Sequence, residues 1–157
     1  MILTEKRRLK YPDTQVFHYH NANPKNKITT DCVIRALTVG LDTTYEQVLM
    51  ETAKMQCVTG IDCRETSGID KYLKSKGWIK LPQPKKPDGT LYTGEEFCLK
   101  LQHPIYCEEL NFPECKWRRL IANIGGHHTV AIVEAQVWDI WDSSYGKIHS
   151  VWVEPET

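Results

Sequence analysis

The chain has 157 residues, 41% of them hydrophobic and 25% charged, which fits one compact soluble domain spanning 1–157 with a packed core of its own. Lys+Arg and Asp+Glu both number 20, for a formal net charge of zero, so neither nucleic acid nor membrane is an expected partner. No apolar run is long enough to span a bilayer, and the N-terminus MILTEKRRLKYPD lacks a hydrophobic signal core. The expected location is cytoplasmic, where the six cysteines (Cys32, Cys57, Cys63, Cys98, Cys107 and Cys115) act as packing groups, metal ligands or nucleophiles and not as disulfides.

The first thirty residues read as polar and irregular, apart from a short strand at Gln15 to His20 whose alternation puts Val16, His18 and His20 on one side. The KRRLK run at Lys6 to Lys10 reads as solvated surface, with a patch for an acidic partner as the alternative. After the loop NANPKNKITT, the apolar positions Val33, Ile34, Leu37 and Val39 predict a helix that starts near Asp31 and carries Cys32 in its first turn. Capping-box spacing at Thr43/Glu46 and Thr44/Gln47 predicts a second helix running to about Cys57. A third is expected from Ser67 through Leu73, with Gly77 as its terminator. LPQPKKPDG is irregular, and Thr93 with Glu96 repeats the capping box for a helix bearing Phe97, Cys98 and Leu101.

From Trp117 the period changes. RRLIANIGG, HHTVAIVEA, QVWDIWDS and HSVWVEP are rich in Val, Ile and Trp with short breaks between them, which predicts an antiparallel meander. The helical part, 31–103, precedes the sheet, 116–153, without βαβ alternation, so the expected class is α+β with N-terminal helices packed on one face of a C-terminal antiparallel sheet. Trp138, Trp141 and Trp152 are expected to pack on the sheet, with one of them walling a cleft as the alternative.

A catalytic thiol needs a lowered pKa, a base within reach and a group that orients the base. Cys32 at a helix N-terminus sits in the positive end of the helix dipole. His128 opens the strand HTVAIVE and Asp142 ends the next one, VWDIWD. A three-residue turn at Glu134 to Gln136 places position 128 opposite 142, a two-residue turn at Ala135 and Gln136 places Thr129 there, and one at Glu134 and Ala135 places His127 there. His127 is therefore the alternative base. With 128 opposite 142, Asp139 lies about 10 Å down the strand and reads as a partner for a neighbouring backbone or cationic group rather than a triad member.

These residues carry a resemblance. DCVIRAL, then HTVAIV and a carboxylate at the end of the next strand, is similar to the Cys–His–Asp/Asn order of papain-like hydrolases. With the helix YTGEEFC, the stretch HTVAIVEAQVWDIWDSS and the later VWV, the chain resembles small, largely uncharacterised phage and bacterial proteins with papain-like features, as motifs spread over Asp31 to Val153. The resemblance implies a papain-like core, with Cys32 as nucleophile, His128 as general base and acid, and Asp142 as orienter. It also implies Asn26, six residues before the nucleophile, as an oxyanion donor beside the Cys32 backbone N–H. HPIYCEELNFPEC reads as an insertion.

The expected chemistry is hydrolysis of a peptide, isopeptide or side-chain amide through a thioester, on an intracellular protein or peptide substrate, in the host cytoplasm if the protein is phage-carried. Acyl transfer to an amine uses the same triad. A non-catalytic binding module, with the Trp-rich end and the Cys107–Cys115 insertion as its surface, is the alternative from another class. No cofactor is implied. The thiol spacings, with five residues between Cys57 and Cys63 and seven between Cys107 and Cys115, do not match a zinc site.

Overall fold

The computed structural model describes residues 3–103 and 118–156. The insertion expected around Cys107 and Cys115 lies outside them. Among the described residues are five helices, α1 (Leu3–Lys10), α2 (Cys32–Gly40), α3 (Tyr45–Thr59), α4 (Thr66–Ser75) and α5 (Gly94–Leu101). Six strands accompany them: β1 (Phe17–Tyr19), β2 (Ile79–Lys80), β3 (Leu120–Ile124), β4 (His128–Val133), β5 (Gln136–Asp139) and β6 (Ile148–Val153). The class is α+β.

Local chemistry explains most of the helix boundaries. The Thr44 side chain accepts from the Gln47 N–H to start α3, and Gly60 ends it in the left-handed conformation. Thr93 and Glu96 form a reciprocal capping box at α5. Helix α1 contradicts the expectation of an irregular N-terminus. Its sequence LTEKRRLK has no wide apolar stripe for periodicity to register, and its last turn is basic, which complements the dipole.

All six strands form one sheet in the order β1-β5-β4-β3-β6-β2. Strands β3, β4 and β5 follow one another as antiparallel neighbours, but β6 returns to pair with β3, so the meander is broken at its last step. Strand β1 adds to the edge of β5 in parallel, with Tyr19 paired to Asp139. Alternation along the strands then makes two cores. Leu120, Ala122, Val130, Ile132, Val137 and Val151 pack on one side with Phe97, Cys98 and Leu101 of α5. Ile121, Ala131, Val133 and Trp152 pack on the other with Leu37 of α2, Val48 of α3 and Leu73 of α4. The helices therefore cover both faces, not one, because α5 carries its own apolar stripe to the face that α2–α4 leave open. Helix α2 comes close enough to β3 that a Cβ on Gly40 would lie 2.4 Å from Ile121 Cδ1.

The β4–β5 turn decides the register on which the site depends. Val133 pairs with Gln136, so the turn is Glu134 and Ala135, both left-handed with φ of 52° and 57°, the signature of a type I′ hairpin. Continued past the strand ends, this register sets 128 across from 141. Glu134 is exposed and pays the cost of a left-handed conformation that Asn tolerates better. Glu134→Asn is expected to raise stability by about 0.5–1 kcal/mol, read as a higher urea midpoint at unchanged m-value.

Candidate active site

Helix α2 begins at Cys32, and Asp31 occupies the capping position without using its side chain as a cap. The Asp31 carboxylate is drawn away from the helix end by three donors: Arg35 Nε at 2.7 Å, Tyr45 Oη at 2.7 Å and Asn23 Nδ2 at 3.0 Å. The first intrahelical hydrogen bond runs from the Arg35 N–H to the Asp31 carbonyl, so the amides of Cys32 and Val33 precede the helical ladder and stand at the positive end of the dipole.

The Cys32 sulfur lies beside His128 and the Thr129 backbone N–H, both of which act to lower its pKa. His128 in turn donates from Nε2 to Asp139 Oδ2 at 2.5 Å. An ionised carboxylate only accepts, so the proton of that bond is on the imidazole, and Nδ1 is the nitrogen left to exchange a proton with the thiol. Burial opposes the thiolate, but His128, the Thr129 N–H and the Arg35 charge prevail and hold the Cys32 pKa below that of an ordinary thiol. Burial likewise opposes the imidazolium, yet the Asp139 and Cys32 partners push the His128 pKa up to about 9. The favoured form is a thiolate–imidazolium pair.

The carboxylate that meets His128 is Asp139 and not Asp142. In the observed register, Asp139 is two residues from the position opposite His128, so the pleat puts it on the same side and a diagonal side-chain contact becomes possible. Had 128 faced 142, the offset would have been three and the side chains would have pointed apart. Asp142 closes a local turn, accepting from the Ser144 N–H at 3.1 Å and the Ser144 hydroxyl at 2.5 Å. The expectation for Asp139 is met in part: its Oδ1 accepts from the Ile140 N–H at 2.8 Å and from Arg35 Nη1 at 3.0 Å, and Ser143 Oγ donates to Oδ2 at 2.9 Å, but the same carboxylate also bonds His128, which that reading excluded. Despite the cost of burial, His128, Arg35 and the Ile140 N–H hold its carboxyl below the usual carboxylate range.

Arg35 is the residue that the sequence reading missed. Its side chain is 7% exposed and spans from Asp31 to Asp139, whose side chain is 1% exposed. The signal available was an arginine one turn after an aspartate, a spacing that favours pairing on a helix, inside an otherwise apolar segment.

A cleft of about 440 Å³ opens on Cys32 and His128, with Ile28, Thr29, Ile140 and Trp141 among its walls. The Trp141 ring lies 4.9 Å from that of His128, so this tryptophan walls the cleft. Trp152 is fully buried and donates to Asp70, and Trp138 packs against His18 and His20. His127 lines the cleft from an exposed turn but is not the ring bonded to Asp139. Asn26 is not brought to the thiol. It is an exposed left-handed turn residue whose N–H bonds the Asn23 carbonyl, and it is not among the residues walling the cleft. Among the described residues no group of three or more His, Cys, Asp or Glu is placed to hold a metal ion.

In comparisons with known proteins, the chain matches no family model, no curated protein and no solved structure.

Alkylation of Cys32 by iodoacetamide, followed by peptide mass spectrometry, is expected to stay fast well below pH 8. At pH 6 the rate should drop about tenfold or more in His128→Ala and Asp139→Asn, one pKa unit of thiol activation corresponding to a tenfold loss of thiolate, with little change in Asp142→Asn. Arg35→Ala leaves two buried carboxylates without their cation and should cost about 3–5 kcal/mol of stability by urea denaturation.

Proposed function

We propose that this protein is a cysteine hydrolase of the papain-like kind, cleaving a peptide, isopeptide or side-chain amide bond in a protein or peptide substrate. The observation that carries the reading is the convergence of Cys32 and His128 on one open cleft, with the His128 ring bonded to the buried Asp139 carboxylate and acting on the Cys32 thiol. An inert core cysteine needs no such partners. Cys98 illustrates the contrast, being fully buried with its thiol pushed up by burial alone.

In the proposed reaction the Cys32 thiolate attacks the acyl carbon, forming the C–S bond. The carbonyl electron pair moves onto oxygen, where the Cys32 backbone N–H at the head of α2 meets it. As the carbonyl re-forms, the C–N bond breaks and the His128 imidazolium gives its proton to the departing amine. A thioester on Cys32 remains. His128, now neutral, takes a proton from water, whose oxygen displaces the sulfur and releases the acid. Asp139 keeps the imidazole in one orientation throughout, and Trp141 limits solvent on one side of the ring.

The pH dependence follows from the two directions. Activity rises as Cys32 ionises, at a pH below that of an ordinary thiol, and falls as the imidazolium loses its proton near about 9; the limbs belong to the coupled pair. Incubation with a library of peptide amides is expected to yield a bell-shaped rate profile and a thioester trapped by acid quench. Cys32→Ala should abolish turnover and adduct while leaving the far-UV spectrum unchanged. A wild-type chain that turns over no amide in the library and whose Cys32 titrates as an ordinary thiol overturns the reading.

A further inference from the structure

The charges around the cleft are one-sided. Although the chain carries no net charge, the walls of the cleft include Arg7, Arg35, Arg64, His127 and His128 and, among the described residues, no carboxylate. Two of the three guanidinium groups are spoken for. Arg35 is held by Asp31 and Asp139, and Arg64 is paired with Asp62 at 2.7 Å. Arg7 differs, since among the described residues no carboxylate pairs with it. It is half-buried, its Nε donates to the Ile140 carbonyl at 3.2 Å, and its guanidinium lies 5.6 Å from the centre of the Tyr11 ring. That anchor fixes the planar group beside the strand end that supplies Asp139, and it leaves the two terminal nitrogens to meet a ligand.

We propose that the cleft accepts an acyl substrate bearing a carboxylate close to the scissile bond, and that Arg7 is the residue that receives it. The proposal rests on Cys32 being the reacting group and names the substrate class of the same site. A guanidinium presents its donors as a planar fork that matches a carboxylate in two parallel hydrogen bonds, and its charge is permanent. Holding Nε in place lowers the entropy lost when the fork closes on its partner. A concave wall with few opposing charges concentrates anions. The KRRLK run of α1 thereby acquires a role: one of its basic residues faces the reacting centre.

Two small alkylating agents read this directly. Iodoacetate and iodoacetamide react with the same thiolate by the same displacement, but only iodoacetate carries a carboxylate next to the reacting carbon. The ratio of their rates at Cys32, measured by peptide mass spectrometry at pH 6.5 and low salt, is compared with the ratio at exposed Cys57 of the same chain. The expected result is a ratio at Cys32 about tenfold or more above that at Cys57, in line with the gain that electrostatic focusing gives to charged ligands. Arg7→Gln should bring it down to the Cys57 value, and Arg7→Lys should retain part of it. Equal ratios at the two cysteines, with iodoacetamide still fast at Cys32, overturn the carboxylate proposal and leave the hydrolase reading standing. Slow iodoacetamide at Cys32 overturns the hydrolase reading instead. Protection of Cys32 by the blocked peptide Ac-Ala-Glu-Ala-NH2 assigns the carboxylate to an acidic side chain, and protection by Ac-Ala-Ala-Ala-OH assigns it to a chain terminus. Protection by neither peptide overturns the proposal.

Discussion

One guanidinium ties the helix that begins at Cys32 to the strand that carries the carboxylate bonded to His128. Arg35 reaches Asp31 with one edge and Asp139 with the other, and from Asp139 the path continues through His128 to Cys32. Along it the charges alternate: carboxylate, guanidinium, carboxylate, imidazolium, thiolate. Each buried charge has opposite charges as neighbours, which is the condition under which burial of ions is tolerated. The alternation also sets the protonation states, because a neutral thiol and neutral imidazole would leave Asp139 facing one cation instead of two. Thiol activation here is thus a property of the packed core as well as of the cleft.

The sheet gives this path its rigidity. Strand β5 has β4 on one side and β1 on the other, and the Asp139 carbonyl accepts from the His20 N–H beyond the end of β1. Asp139 is therefore held through both its backbone and its side chain. Helix α2 lies against β4 and β3 through Leu37 and Ile34, and Gly40 lets its far end approach closely. With the helix and the strand both fixed, Cys32 and His128 meet without a loop having to fold over them.

Much of this was readable from the chain. The apolar spacing of α2, the Thr44 start of α3 and the Thr93/Glu96 box of α5 are local signals, and they placed Cys32 at a helix head and His128 at a strand start. What escaped were features set by distant partners. The choice between Asp139 and Asp142 turns on a hairpin whose two left-handed positions are filled by Glu134 and Ala135, neither a residue that announces a type I′ turn. The return of β6 to β3 and the seating of α5 on the second face depend on which edges and faces remain open once the other elements have docked. Arg35 reads locally as a helix-surface charge; only the crossing of α2 over the sheet makes it a buried link. Asn26 shows the converse error, where an offset in sequence suggested a side chain that the backbone directs elsewhere.

The separation along the chain of the groups that converge on Asp139 has a consequence for how the protein is made. Arg35 and Asp139 are 104 positions apart, and synthesis proceeds from the N-terminus, so the helix bearing the thiol leaves the ribosome long before the base and its carboxylate exist. During that interval Cys32 has a helix dipole but no imidazolium, and its sulfur behaves as a common thiol. On the proposed reading, competence requires the hairpin of β4 and β5 to have closed and been joined to β1, so a chain still short of β5 carries Cys32 without its partners.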